Sequence, residues 1–131
     1  MQDTSCACGS NLRSAACCAP ILAGTAQAPT AESLMRSRYS AFVACNEAYL
    51  LRSWHPNTRP RKLDFEPRQR WLGLKILATR AGGADDDEGA VEFVARYKID
   101  GKGHRLHEIS RFVRTEQGWL YLDGERGATD S

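Results

Sequence analysis

From Val91 to Ile99 the chain reads VEFVARYKI, and past the turn Asp100-Gly101-Lys102-Gly103 it resumes over Arg105–Thr115 as RLHEISRFVRT. In the first run Val91, Phe93, Ala95, Tyr97 and Ile99 alternate with Glu92, Arg96 and Lys98, the two-residue period of a strand with one face buried. The Asp-Gly turn joins it to the second run as a hairpin. Gln117-Gly118 then turns into WLYLDG, Trp119–Gly124. Upstream, WLGLKILATR over Trp71–Arg80 has the branched and aromatic content of a strand, and the polar GGADDDEG segment, Gly82–Gly89, links it to the first run. These four runs predict an antiparallel meander. Gly82-Gly83 is no phosphate loop, because three aspartates follow it and would repel a phosphate.

Ahead of the sheet the pattern is helical. In TAESLMRSRYSAFVAC, Thr30–Cys45, the residues Met35, Tyr39, Phe42 and Val43 fall at helical spacing. Thr30 is a suitable N-cap, and Glu32 lies in the first turn, where the helix dipole favours negative charge. Asn46 can cap a shorter helix through Tyr49, Leu50 and Leu51, ended by Trp54-His55-Pro56. Cys45, at the end of the first helix, is expected to be a small buried hydrophobe. From Arg59 to Arg70, two prolines and many charges read as a loop. Helices followed by an antiparallel sheet predict an α+β domain with the helices over one sheet face.

At 131 residues, 42% hydrophobic and 26% charged, the chain suits one folded body. Its formal charge of +2 carries little long-range field toward nucleic acid or anionic membrane. No run approaches the roughly 20 apolar residues that span a bilayer, and no basic segment leads into an apolar one at the start, so a cytoplasmic location and no membrane partner are expected.

Four of the five cysteines fall in the first 18 residues, as Cys6-Ala7-Cys8 and Cys17-Cys18 separated by Gly9–Ala16. Two close pairs joined by turn-tolerant Gly9, Ser10 and Asn11 suit a structural zinc, which takes four soft ligands in a tetrahedron. A segment of this size with few large apolar groups needs such a metal to offset its chain entropy. Disulfides, a redox dithiol and free reactive thiols are the competing readings. The first is rare in the cytosol, and C-x-C with C-C is not the usual C-x-x-C redox spacing. Ala19–Pro29, APILAGTAQAP, has linker composition. The expected organisation is therefore a zinc-binding motif with its linker over 1–28, the α+β domain over 29–125, and a flexible tail over 126–131.

CACGS followed by Cys-Cys resembles the SEC-C motif, the zinc element found at the end of the translocase motor SecA and elsewhere. The run TAESLMRSRYSAFVACNEAYLLRSWHP, with WLGLKIL, VEFVARY, HEISRFVR and WLYLDG, is similar across nearly the whole chain to the bacterial YchJ-like family. That resemblance implies a SEC-C element followed by a nuclear transport factor 2-like (NTF2-like, cystatin-like) domain, a cone of helices against a curved antiparallel sheet. It carries over one structural zinc on Cys6, Cys8, Cys17 and Cys18, with Cys18 where SecA-type motifs often have His. The motif usually continues with Gly-Lys and an aromatic, whereas Asn11, Leu12 and Arg13 stand here, which removes a lysine that could contact a partner. A protein partner for the zinc motif is implied by the resemblance alone.

Within such a cone, Leu106, Glu108, Ser110 and Phe112 alternate onto one face of their strand. With Phe93 and Tyr97, with Trp119, Tyr121 and Asp123 from the last strand, and with Tyr39 and Trp54 from the helical part, Glu108, Ser110 and Phe112 form the candidate pocket. It could take a small apolar ligand. It could also perform isomerase- or dehydratase-like proton transfer, with Glu108 or Asp123 as base and Tyr97 or Tyr121 as hydrogen-bond donor. The bland alternative pairs Glu108 or Asp123 with Arg36 or Arg38 in a filled core. His55 reads as a helix-terminating residue, while His104 and His107 are expected toward solvent. No nucleophile-base arrangement is recognisable. The basic residues Arg59, Arg61, Lys62, Arg68 and Arg70 give nucleic-acid binding slight support only.

Overall fold

The computed structural model describes residues 6–10 and 12–126; Asn11 and the tail beyond Arg126, on which expectations were placed, lie outside the described residues. A short 3-10 turn, η1 (Ser14–Ala16), leads into α1 (Cys18–Ala23), α2 (Ala31–Val43) and α3 (Glu47–Arg52). Four strands follow, β1 (Gln69–Ala81), β2 (Glu88–Ile99), β3 (Lys102–Thr115) and β4 (Gly118–Arg126), in the sheet order β1-β2-β3-β4. The meander and its covering helices match the expected α+β class. β4 takes in Arg126, the first residue of the expected tail, because Glu125 and Arg126 still pair with Ile109 and Glu108.

β2 and β3 pair without interruption from Glu88↔Val113 to Ile99↔Lys102. Their two-residue turn has positive φ at both Asp100 (52°) and Gly101 (81°), the geometry that continues the strands' own twist. Toward the helices this pair presents Val91, Phe93 and Ala95 opposite Ser110, Glu108 and Leu106.

Thr30 caps α2 as its sequence indicates: its Oγ accepts from the Ser33 N–H at 3.1 Å. Thr30→Ala should therefore destabilise the chain by about 1 kcal/mol, read as a lower urea midpoint at unchanged slope. An unchanged midpoint would count against the cap. Asn46 does the same for α3, accepting from the Tyr49 N–H.

The α2 helix is buried more widely than its apolar spacing implies. Leu34, Met35, Ser37, Arg38, Tyr39, Ser40 and Ala41 are all buried, whereas Val43, expected on the inner face, is 42% exposed. One side lies on the sheet and the other meets α3 and the cysteine element, so polar Ser37 is enclosed too. Its Oγ donates to the Leu34 carbonyl and lies 2.6 Å from Tyr49 Oη.

Two further expectations are corrected. The linker composition of Ala19–Pro29 hides α1, whose six residues are too few to show a period. Pro20 sits in its first turn, where no N–H is needed, and Gly24 closes it in the left-handed conformation. Cys45 is exposed and not buried, because it forms the left-handed turn (φ 54°) between α2 and α3.

After α3 the chain is stitched to β4. His55 N–H donates to the Tyr121 carbonyl and Tyr121 N–H to the Ser53 carbonyl, both at 2.8 Å, and Thr58 Oγ donates to the Leu122 carbonyl. Glu47 accepts from the Leu63 N–H, and Leu63 and Phe65 of the following loop pack against the Ala41–Tyr49–Leu50 cluster. Among the described residues no helix is long and apolar enough to cross a membrane.

Candidate metal centre and cone pocket

Cys6, Cys8, Cys17 and Cys18 bring their sulfurs together within 4.8 Å of one another. Cys8 Sγ lies 3.6 Å from Cys17 Sγ, and Cys17 Sγ lies 3.8 Å from Cys18 Sγ. A zinc–sulfur bond of about 2.3 Å gives a tetrahedron whose edge is roughly 3.8 Å, whereas a disulfide needs about 2.05 Å. The separations fit ligands of one ion, and all five thiols are free. The donor set is four soft sulfurs, the chemistry of a structural zinc site.

The fold builds this arrangement from both ends. Cys6 N–H donates to the Leu12 carbonyl and Gly9 N–H to the Cys6 carbonyl, closing the first pair into a tight turn with Gly9 at φ 81°. A side chain at Gly9 would press on the Leu74 carbonyl of β1 at 3.1 Å, so the turn lies directly on the sheet. The second pair enters α1, with Cys17 as its N-cap. Cys6, Cys8 and Cys18 are buried in the same core cluster as Leu34, Met35, Tyr39 and Phe93, so the element is packed into the body.

Three residues that sequence reasoning missed support the thiols. Ser10 Oγ lies 3.1 Å from Cys17 Sγ, and Ser40 Oγ lies 3.6 Å from Cys6 Sγ. Arg36 donates through Nη1 to the Cys8 carbonyl at 2.8 Å while its Nε holds Glu32, placing a guanidinium beside the sulfurs. The thiols also separate electrostatically. Hydrogen bonding from Cys18, joined by Ser10 and Cys6, draws the Cys8 thiol down to about 4. The same contact with Cys8, and then burial, pushes Cys18 upward, and burial raises Cys17. The protein alone stabilises one thiolate here, and a full set of thiolates calls for a cation.

On the far side of α2 the helices and sheet enclose a cavity of about 280 Å³. Met35, Tyr39 and Phe42 of α2 form its roof, Trp71, Phe93, Ala95 and Leu106 its sheet wall, and Arg38, Trp54, Glu108, Ser110 and Tyr121 its polar end. Arg38 is buried; its Nη1 donates to the Leu50 carbonyl at 2.8 Å and to Ser53 Oγ at 2.7 Å. Its guanidinium carbon stands 4.9 Å from the Trp54 ring centroid and 4.5 Å from that of Tyr121, a cation over two π faces that themselves meet edge to face at 5.0 Å. Burial lowers it to about 10, so it stays charged at neutral pH. Glu108 accepts from Ser110 Oγ at 2.7 Å and from Tyr121 Oη at 3.5 Å.

Residues 30–124 match the family model described as the YchJ middle NTF2-like domain. The chain belongs to the YchJ-like family. Its YchJ-like relatives include UPF0225 proteins of Streptomyces avermitilis, 52% identical over 95% of this chain and 86% of the relative, and of Streptomyces coelicolor, 50% identical over 95% and 98%. Among solved structures, a SEC-C motif containing protein from Rhodopseudomonas palustris superposes with a TM-score of 0.81 at 31% identity, covering 93% of this chain and 98% of that one. Another from Psychrobacter arcticus gives 0.74 at 28% identity, over 100% and 84%. The YchJ-like fold is therefore an NTF2-like α+β domain carrying a SEC-C-type cysteine cluster.

In this YchJ-like chain Tyr39, Trp54, Phe93, Glu108, Ser110 and Tyr121 converge on the cavity, joined by Arg38, Phe42 and Trp71. Four other candidates do not line it. Phe112 fills the core behind it, 1% exposed and edge-on to Tyr121. Tyr97 is layered between Trp71 and His104. Trp119 lies in the wall of a second cleft with Ile21, Leu34 and Tyr49. Asp123 turns to the opposite face, where Arg111 binds it through Nε and Nη2. A bulge causes this: Arg111 pairs with Asp123 but Phe112 with Tyr121, so Leu122 is an extra residue and the faces exchange after it. Gly124 takes the inward position, and Glu108 lies across it, where any Cβ would strike its carboxylate.

The expected ion pairs are rearranged accordingly. Arg36 serves Glu32 and Cys8, and Arg38 has no carboxylate within ion-pair distance among the described residues. His55 Nδ1 accepts from the Asn57 N–H at the end of the helical segment. His104 is exposed, but His107 is turned from solvent toward Glu92, at 2.6 Å. In the basic loop Arg59 donates to the Trp54 carbonyl, Lys62 lies by Asp64, and Arg68 bridges Glu66 and Asp100.

Proposed function

We propose that the protein is a zinc-held binding module. One structural Zn²⁺ on Cys6, Cys8, Cys17 and Cys18 fixes the N-terminal element against α2 and β1, and the cone behind it receives a small ligand. The observation that carries this reading is the set of four sulfurs within 4.8 Å of one another against the main core, two of their separations at tetrahedral-edge length. The role of such a metal is to supply the folding energy a small, weakly apolar segment lacks. The element's outer surface, where Leu12 is 53% exposed, is the face a protein partner would meet. The cytoplasm, where thiols stay reduced, is the compartment that suits this centre.

Elemental mass spectrometry with thiol counting on untagged protein tests the reading. We expect one zinc per chain, with Cys45, the exposed thiol, titrating at once and the other four only after chelation. Protein free of metal, with all five thiols reacting together, would overturn it.

A second reading, acid/base chemistry in the cone, draws on Glu108 held by Ser110 and Tyr121 at the cavity's polar end. In that reading Glu108 is the base and Tyr121 the hydrogen-bond donor, with Asp123 and Tyr97 outside the pocket.

A further inference from the structure

The polar end of the cone holds more donor capacity than the chain uses. Arg38 is 3% exposed, yet among the described residues only its Nη1 is hydrogen-bonded, and its Nε–H and Nη2 hydrogens meet no acceptor there. Trp54 Nε1–H, sealed from solvent a ring's breadth away, has no acceptor among the described residues either. Buried N–H groups without partners are rare, and a buried cation without a bound counter-charge is rarer, since each loses its hydration without compensation. Glu108 does not serve as that counter-charge at close range. Its carboxylate is turned across Gly124 toward Ser110 and Tyr121 and acts on Arg38 only through space. The remainder of the cavity is apolar, walled by Met35, Phe42, Trp71, Phe93 and Leu106.

Resting on the reading of the cone as a small-ligand receptor, we propose that it binds a small organic acid, whose carboxylate meets the unused N–H edge of Arg38 and whose apolar body lies among Phe42, Trp71 and Leu106. Arg is suited to this because its planar fork matches a carboxylate through two parallel hydrogen bonds. The π faces of Trp54 and Tyr121 hold the guanidinium in place, and Arg38 lines the cavity. Size limits the body. A cavity of roughly 150 Å³ accommodates a benzene ring, so one of about 280 Å³ admits about eleven non-hydrogen atoms. An aromatic or medium-chain monocarboxylate meets both conditions. A fatty acid of membrane-lipid length does not.

Calorimetric titration of the zinc-loaded full chain with phenylacetate, phenylacetamide and phenethylamine separates the possibilities, because the three probes share a body and differ in head-group charge. Phenylacetate should bind at least tenfold more tightly than the amide and the amine. Glu108→Gln, which removes the neighbouring negative charge, should tighten phenylacetate a further few-fold. Arg38→Met should erase the preference for the acid. Because Arg38 also holds Leu50 and Ser53, that variant can lose its fold, so Leu106→Trp provides an independent check: it fills the cavity, keeps Arg38 and should abolish binding. Amide or amine binding as tightly as the acid, with Leu106→Trp still blocking it, would overturn the acid assignment and keep the receptor. Absence of heat from all three probes at millimolar concentration would overturn the receptor reading itself.

Discussion

Cys8→Ser should unfold far more than the segment that carries it. Cys8 is fully enclosed, its carbonyl receives the Arg36 guanidinium, and it shares a core cluster with Leu34, Met35, Tyr39 and Phe93. Structural zinc contributes on the order of 10 kcal/mol, comparable with the whole stability of a domain this size. Losing one of four ligands, and leaving three thiols around an empty centre, should lower stability by about 5 kcal/mol. The readout must come from the body. Trp71 and Trp119 lie on β1 and β4, so their fluorescence during urea unfolding reports the sheet. A midpoint shifted well downward, matched by chelator-treated wild type, is the expected result. Identical midpoints would show that the cysteine element and the sheet are energetically independent.

Gly89→Val should be the most damaging change outside the cysteines. A Cβ built there lies 2.5 Å from Gly82 Cα and 2.8 Å from Gly82 N, both backbone atoms, and 3.2 Å from Ala31 Cβ. Neither backbone atom can yield cheaply. Gly82 N–H donates to the Glu88 carbonyl and the Gly82 carbonyl accepts from the Ala31 N–H, so the β1–β2 connection and the start of α2 are fastened at this one point. Forcing them apart should lower stability by about 3 kcal/mol and the melting temperature by roughly 10 °C. Gly103→Ala is the control, because a Cβ there meets nothing within 4 Å. Equal melting temperatures for the two variants would refute the close-approach account.

Much of this architecture is written locally. The alternation of Val91, Phe93 and Ala95, the Asp100-Gly101 turn and the caps at Thr30 and Asn46 are short-range signals, and the strands and helices they indicate are present. The cysteine cluster is legible for a different reason: ligand chemistry admits few residue types, so spacing alone narrows the choice. What stayed hidden depends on partners distant in the chain. Nothing around Leu122 announces an extra residue, because the bulge expresses how β4 fits β3, and it moves Asp123 from the pocket to the outside. Burial of Arg38 was expected only through a carboxylate partner, whereas its stacking over Trp54 and Tyr121 depends on elements far apart in sequence. Cys45 reads as a buried thiol from its neighbours, but the left-handed turn that exposes it exists only because α3 must double back.

The stitching of Ser53–Thr58 onto β4 also bears on how the edges of the sheet are protected. An open sheet ends in two rows of unsatisfied backbone groups, each a template for another chain's strand. At β4 the Tyr121 N–H and carbonyl and the Leu122 carbonyl are already taken by the segment after α3. At β1 the margin is thirteen residues long and exposes Leu72 and Leu77, yet two irregularities, between Trp71 and Gly73 and between Ile76 and Ala78, break its flatness, and Lys75 and Arg80 bring charge to it. One border is covered at its centre by its own chain and the other is warped and charged, which breaks up the flat, regular surface from which fibrous aggregates grow.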